Sequence, residues 1–328
     1  MKRLILLFLA AALLLSGCAS KAPTETLIFA MDTQMSLRLY GDADGAQAQA
    51  LRELIASLDK KLSVTNESSE TSALNRSGAS TDADVLALLA AAKALSARTN
   101  GALDVTVYPL VRLWGFTTGD YRVPTADEIA ETRSRVGAER ITLSDHGAEL
   151  AEGTMTDFGA LAKGYTAELC RAALEQDGVS GILSLGGNIQ TVGSKPDGTP
   201  WSVGIQNPED ASGYLAVLSL RGSRAVVTSG DYQRYFTQDG VRYCHVLDPA
   251  TGCPVQGTLR SVTVVADSGL LADGLSTALF VLGPERGAEL WRQSDDFEAL
   301  WIDRSGAVTV TEGLESLVSG CEFEVLRR

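Results

Sequence analysis

Hydrophobic and polar positions change period several times along the chain, and each change predicts an element. Residues 27–41, LIFAMDTQMSLRLYG, alternate apolar and polar side chains and predict one strand. Leu51, Leu54, Ile55 and Leu58 then recur at helical spacing and predict a helix. VTNESSETSALNRSG, 64–78, is polar and carries turn and cap chemistry. Residues 82–104 predict a strong helix that Asp82 or Asp84 could cap and Asn100-Gly101 could end. PTADEIAETRSRVGAERITLS, 124–144, predicts a helix and then a strand, and 154–178 a strand end, a glycine turn and a helix. SGILSLGGNIQTVG, 180–193, predicts a buried strand stopped by Gly186-Gly187. A run of strands with hairpin-like turns follows through 201–267, then helices over 272–292 and a closing hairpin over 299–313. There is no repeat and no regular βαβ alternation. The expected class is α+β: a mixed, largely antiparallel sheet core with flanking helices.

Composition narrows this reading. The chain has 328 residues, 45% of them hydrophobic, enough for a sizeable core in one large domain or two intimately joined ones. A net charge of −13 gives no electrostatic support for nucleic-acid binding. It leaves a phosphorylated small molecule open, because a cation or a helix N-terminus screens phosphate locally. The N-terminus has basic Lys2 and Arg3, an apolar run from Leu4 to Leu15, and Ser16-Gly17-Cys18. The run is short for a membrane span and reads as a signal peptide over 1–17. Leu15-Ser16-Gly17-Cys18 resembles the bacterial lipoprotein cleavage box, in which Cys18 is lipidated and becomes the first residue. Residues 18–26 then read as a lipid-anchored tether, and the mature chain, without Lys2 and Arg3, is two units more negative. Cys170, Cys244, Cys253 and Cys321 form no zinc pattern. Cys244 and Cys253 flank the turn Asp248-Pro249-Ala250-Thr251-Gly252; if their strands form a hairpin they could face each other, an arrangement open to a disulfide.

Four stretches could carry chemistry, and each has a structural reading beside the functional one. In DFGALAKGYTAEL, 157–169, a glycine turn feeds a helix start. Its amides make an anion site, to which Lys163 adds a point charge; the alternative is a capped helix with a solvent lysine. In LLADGLSTALFVLG, 270–283, Asp273 and Thr277 share one helix face. Two hard oxygens so placed suit Mg²⁺; alternatively Asp273 caps the helix and Thr277 packs in it. GALDVTVYPLVRLWGF, 101–116, passes a cofactor or is plain core. RYCHVLDPATGCPV, 242–255, holds His245, one of two histidines, beside a tight turn; it is a proton-transfer group or a structural residue. His146, in a predicted exposed turn, has no assigned role.

The order of these stretches carries more than any one of them. MDTQMSL, SETSALN, GALDVTVYPLVRLWGF, DFGALAKGYTAEL, LSLGGNI, PWSVGIQNP, AVVTSGDYQRYF, YCHVLDPATGCPV and ADGLSTALFVLG resemble, in sequence order, the motifs of the ApbE family over about residues 27–325. That family comprises FAD:protein FMN transferases, often lipoproteins, which split FAD at its pyrophosphate and attach the FMN half to a Ser or Thr of a partner with Mg²⁺. The resemblance implies metal ligation by the carbonyl of Ala160, the carboxylate of Asp273 and the side chain of Thr277. It implies FAD contacts at Met31, Thr65, Ala102, Leu103, Asp104, Asp157, Lys163, Val246 and Ser276. Gly186, Gly187 and Asn188 would let backbone approach the cofactor. His245 would assist proton transfer or steady charge. Partners would be flavin-bearing subunits of membrane electron-transport complexes with a D-x-x-[ST]-G-[AS]-[ST]-like acceptor, at an extracytoplasmic bacterial membrane surface. The chain departs from the pattern at Asp32, where many relatives have Gly, and near Thr65, where many have an aromatic ring. Two other functions would use the same residues: an FAD pyrophosphatase releasing FMN and AMP, and a flavin-binding lipoprotein without turnover.

Overall fold

The computed structural model describes residues 22–328, so the signal peptide and Cys18 lie outside the described residues. Its backbone is a nine-stranded sheet whose strands lie side by side in chain order. They are β1 (Thr24–Ala30), β2 (Thr33–Tyr40), β3 (Ser180–Leu185), β4 (Asn188–Val192), β5 (Ala225–Gly230), β6 (Leu259–Ala266), β7 (Phe297–Asp303), β8 (Val308–Thr311) and β9 (Glu324–Leu326). Every neighbouring pair is antiparallel except β8 and β9. The class is therefore α+β with a mostly antiparallel sheet, as the mixture of strands and helices without regular βαβ alternation predicts.

The helices are insertions in this meander. Between β2 and β3 come α1 (Ala46–Leu62), α2 (Glu70–Ser77), α3 (Ala83–Arg98), α4 (Tyr108–Leu113), α5 (Ala126–Arg133) and α6 (Ala162–Gln176); between β6 and β7 comes α7 (Gly269–Arg292). One sheet face takes these helices. Met35, Leu37, Leu39, Leu183 and Leu185 cluster with Leu51 and Ile55 of α1 and with Ala167 and Cys170 of α6. Val227, Val262 and Val264 cluster with Ala272, Leu275 and Leu279 of α7. The opposite face of β5–β8 is covered by the hairpin 201–220, through Val203, Ile205, Ala216 and Leu218. With both faces covered, β6 is buried at every position, including the polar Arg260, Ser261 and Thr263.

Several expectations change. The strand predicted over 27–41 is two strands joined at Met31-Asp32, both left-handed at φ 50° and 57°. A two-residue turn with both central φ positive matches the right-handed twist of a hairpin, and an aspartate tolerates it where a β-branched residue would not. The strand predicted to stop at Gly186-Gly187 likewise turns there, at φ 64° and 95°, and returns as β4. The two turns abut: a Cβ on Gly186 would lie 2.3 Å from the Thr33 side chain. Residues 24–26, expected as tether, form the start of β1. The polar stretch 64–78 contains α2, capped by Ser69, whose hydroxyl accepts the Ser72 amide. The strand end expected at 154–156 is an extended loop, and α7 is broken at Gly283, ahead of Pro284. Cys244 pairs across to Tyr235 while Cys253 pairs with Asp248, so the two cysteines sit in different hairpins; all four described cysteines are free thiols. No described helix is long and apolar enough to cross a membrane.

Candidate active site

The site lies at the sheet end that carries both tight turns. β5 runs antiparallel to β4, with Val227 opposite Asn188, so Thr228–Gly230 project past Asn188 towards that end. α6 and α7 bring their first turns to the same place. They cross at glycines: a Cβ on Gly164 would stand 2.2 Å from the Gly269 carbonyl oxygen and 2.6 Å from Asp273 Cβ. Only a residue without a side chain permits that approach.

The close crossing rearranges the start of α6. The Gly164 amide donates to Asp273 Oδ2 at 2.8 Å. In an uninterrupted helix the same amide would bond the carbonyl four residues back, which belongs to Ala160. The Ala160 carbonyl is thus freed from its helical partner at the point where Asp273 arrives. Asp273 itself is 4% exposed. Burial pushes its carboxyl up; the Lys163 charge, the Gly164 amide and the Asn188 side chain oppose this. Thr277, one turn along α7, has Oγ1 3.3 Å from Ser229 Oγ of β5. Ser276 is 2.8 Å from the same hydroxyl and donates to the Asp273 carbonyl.

Three hard oxygens, from Ala160, Asp273 and Thr277, suit a magnesium ion that keeps its remaining positions for water and phosphate. Asn188, 3% exposed, turns its side chain to the Asp273 carboxylate. Gln190, two residues on and on the same strand face, has a buried atom without a hydrogen-bond partner, Oε1. Orphaned polar atoms are uncommon in folded proteins unless a bound group meets them or they serve a function. Among the described residues no three of His, Cys, Asp and Glu converge as a metal cage.

Lys163 ties the corner together. Its charge acts on Asp157, Asp273 and His245 alike, and its Nζ donates to the Gly159 carbonyl at 3.4 Å. Asp157 is held by its amide on the Val105 carbonyl and by its carboxylate accepting the Gly159 amide, each at 2.8 Å. Burial raises its carboxyl, against the charges of Arg234 and Lys163.

His245 is set by Arg234, which sequence reasoning did not single out. The Arg234 carbonyl lies 2.9 Å from the His245 amide and 3.2 Å from Nδ1. A carbonyl only accepts, so the neutral ring carries its proton on Nδ1 and leaves Nε2 as a free base. Burial, then the Arg234 and Lys163 charges, push the imidazole down to about 4, so it is neutral at pH 7. The Arg234 guanidinium donates to the Phe116 carbonyl at 2.8 Å and fixes the loop after α4. The segment leading to Arg234 is pinned by buried Asp231, which binds Arg260 at 2.6 Å and Arg304 at 3.2 Å.

The other expected residues divide. Met31, Gly186 and Gly187 occupy the two turns at this sheet end, with the Met31 amide on Asp59 Oδ1 at 3.0 Å. Leu103 packs against α7 beside Gly274, and Ala102 precedes it, buried. Val246 is buried next to His245. Asp104 has its carboxylate committed locally, accepting the Thr106 amide at 2.8 Å and hydroxyl at 2.6 Å. Thr65 is exposed in the turn after α1, its hydroxyl 3.1 Å from Ser63 Oγ, and no contact links it to the Lys163 cluster. Arg234, Ser229 and Gly164 were missed. Of these only Gly164 left a signal, as a glycine inside a helical pattern.

The ApbE family model matches residues 31–301. An FAD:protein FMN transferase of Vibrio cholerae is 35% identical over 298 residues, covering 86% of this chain and 88% of the relative. One of Treponema pallidum is 31% identical, covering 86% and 85%. Among solved structures, the ApbE protein of Thermotoga maritima superposes with a TM-score of 0.85 at 32% identity, over 90% of this chain and 99% of the other. The apo flavinyl transferase ApbE of Pseudomonas stutzeri gives 0.81 at 34%, over 92% and 98%.

Proposed function

The chain belongs to the ApbE family, and from that membership we propose that it transfers FMN from FAD to a Ser or Thr hydroxyl of a partner flavoprotein, releasing AMP with the help of Mg²⁺. The observation that supports this most strongly is the convergence on Lys163 of a buried carboxylate, Asp273, and a neutral histidine, His245. A polyanionic pyrophosphate needs the positive charge that Lys163 gives and that a cation held by such a carboxylate would add, and a hydroxyl nucleophile needs a neutral base.

In this reading Ala160, Asp273 and Thr277 hold the metal. When bound, Mg²⁺ supplies positive charge to the pyrophosphate oxygens and the leaving phosphate. Lys163 places a second charge on the pyrophosphate from the side of α6. His245 Nε2 accepts the proton of the acceptor hydroxyl as its oxygen forms a bond to the FMN phosphorus. The bond from that phosphorus to the bridging oxygen breaks, and AMP departs with the electron pair. Arg234 keeps Nε2 directed outward by occupying Nδ1. The pyrophosphate brings negative charge opposite His245, which raises the imidazole from its value in the free protein towards working pH.

The acceptor is a segment of D-x-x-[ST]-G-[AS]-[ST] type on a membrane electron-transport subunit. The enzyme itself is anchored through lipid on Cys18 outside the cytoplasm. Incubation with FAD, Mg²⁺ and such an acceptor tests the reading. Covalently fluorescent acceptor supports it, free FMN indicates a pyrophosphatase, and unchanged FAD indicates binding alone.

A further inference from the structure

The outer face of β1 has no role in the chemistry above. The strand turns Ile28 and Ala30 into the core and leaves Leu27 and Phe29 on its other face, 64% and 77% exposed. Across the register their partners on β2 are Ser36 and Gln34, both exposed. Further along the same side of the sheet, the 201–220 hairpin buries the corresponding positions of β5–β8. Over β1 and β2 the described residues supply no such cover. Leucine and phenylalanine side chains exposed to this degree, adjacent along one strand face, mark a surface that meets another apolar phase.

Two observations select its occupant. The first is where the described chain begins. Thr24 opens β1 only six residues after Cys18, and a fully extended link of that length reaches at most about 20 Å. Whatever lies at Cys18 is therefore held within about 20 Å of the start of this strand. The second is charge. The chain carries −13 overall, yet on this face Glu25 is neutralised by Arg38 at 2.7 Å, and Arg52 donates to the Leu27 carbonyl at its edge. It is an electrically balanced surface on an acidic protein, and so one least repelled by anionic headgroups.

We propose that the outer face of β1 lies on the lipid bilayer interface, with Leu27 and Phe29 as its apolar contacts. The inference rests on the lipid anchor at Cys18 proposed above. A lipid at the end of a short tether sets distance but leaves orientation free. Two apolar side chains at fixed places on a sheet restrict orientation. Phe29 is two residues from Met31, at the sheet end that carries the site, so this docking holds the site beside the membrane, where a membrane-borne acceptor presents its hydroxyl.

The test uses the full chain, made in a bacterium that processes lipoproteins and reconstituted in vesicles of phosphatidylethanolamine and phosphatidylglycerol. Intact mass first reads whether Cys18 carries lipid, and so judges the anchor separately from the face. Phe29→Trp then serves as the probe, because the four native tryptophans are buried at 3% exposure or less. Leu143→Trp, on a small sheet packed against α3 on the helix side, is the control. In lipidated protein, the emission of Phe29→Trp shifts to the blue in vesicles and is quenched by lipids brominated on the acyl chain; Leu143→Trp shows neither change. A lipidated Phe29→Trp protein whose emission stays that of a water-exposed indole overturns the proposal. A blue shift that needs acceptor protein and no lipid, or that grows with protein concentration in lipid-free buffer, also overturns it, assigning the face to a partner or a second copy. Leu27→Asp with Phe29→Asp checks the same point without a probe: vesicle-bound protein then loses the protection of β1 amides against hydrogen exchange that the parent gains on reconstitution.

Discussion

His245 shows how much a single backbone contact decides. Its ring is useful because Arg234 takes Nδ1 and because burial and two cations keep it neutral. His245→Ala should lower the transfer rate by about 10²- to 10⁴-fold with FAD binding retained, the range for loss of a general base; a rate near that of the parent would remove His245 from the chemistry. The same environment makes a stability prediction. The imidazole takes a proton near 6.5 in the unfolded chain but only at about 4 in the folded one. The unfolded state therefore binds more protons in between, and stability falls as pH drops from 6.5 towards 4. Urea midpoints across that window should fall less steeply in His245→Asn than in the parent. Arg234→Gln should raise the imidazole, since it removes a neighbouring cation but leaves the carbonyl, and an NMR titration of the free protein reads this directly. Asp273→Asn keeps the shape and removes the charge, so it should abolish the gain in rate that Mg²⁺ gives while FAD still binds weakly. Full activity in limiting Mg²⁺ would contradict the metal assignment.

Elements were more legible than their junctions. The long periodic helices α1, α3 and α6 and the alternating strand β2 follow from hydrophobic period, β5 and β6 from short runs rich in valine, and Asp82 caps α3 by accepting the Asp84 and Val85 amides. The turn at Met31-Asp32 did not, because neither residue advertises a left-handed conformation as a glycine does. The candidate metal corner was half legible. Asp273 and Thr277 share a helix face by spacing, but nothing local tells that Gly164 lets α7 come close enough to take the Ala160 carbonyl's hydrogen bond away. That crossing gives a prediction. Gly164→Ala puts a methyl 2.2 Å from the Gly269 carbonyl oxygen and forces the helices apart. It should destabilise the fold by about 1–3 kcal/mol, as overpacking does. It should also weaken Mg²⁺ activation more than it weakens FAD binding. Equal loss of both, measured by metal titration and flavin fluorescence, would show that the crossing serves only the fold.

At the scale of the whole molecule, the sheet acts as a frame that gathers distant segments at one end. The site draws on the turn after β1, the start of α6, the turn between β3 and β4, the end of β5, the loop carrying His245, and α7. They span residues 31 to 277, which is why no single stretch of sequence was decisive while their order was. The acidic composition belongs to this scale too: it gives no electrostatic support for binding nucleic acid. The central claim is group transfer to protein. The most direct measurement incubates the purified chain with FAD, Mg²⁺ and an acceptor bearing the D-x-x-[ST]-G-[AS]-[ST] segment, then reads in-gel flavin fluorescence and the acceptor's mass alongside released AMP. The account predicts a fluorescent acceptor heavier by one FMN on its Ser or Thr, with AMP in equal amount. Free FMN with an unmodified acceptor, or FAD left intact, would contradict it.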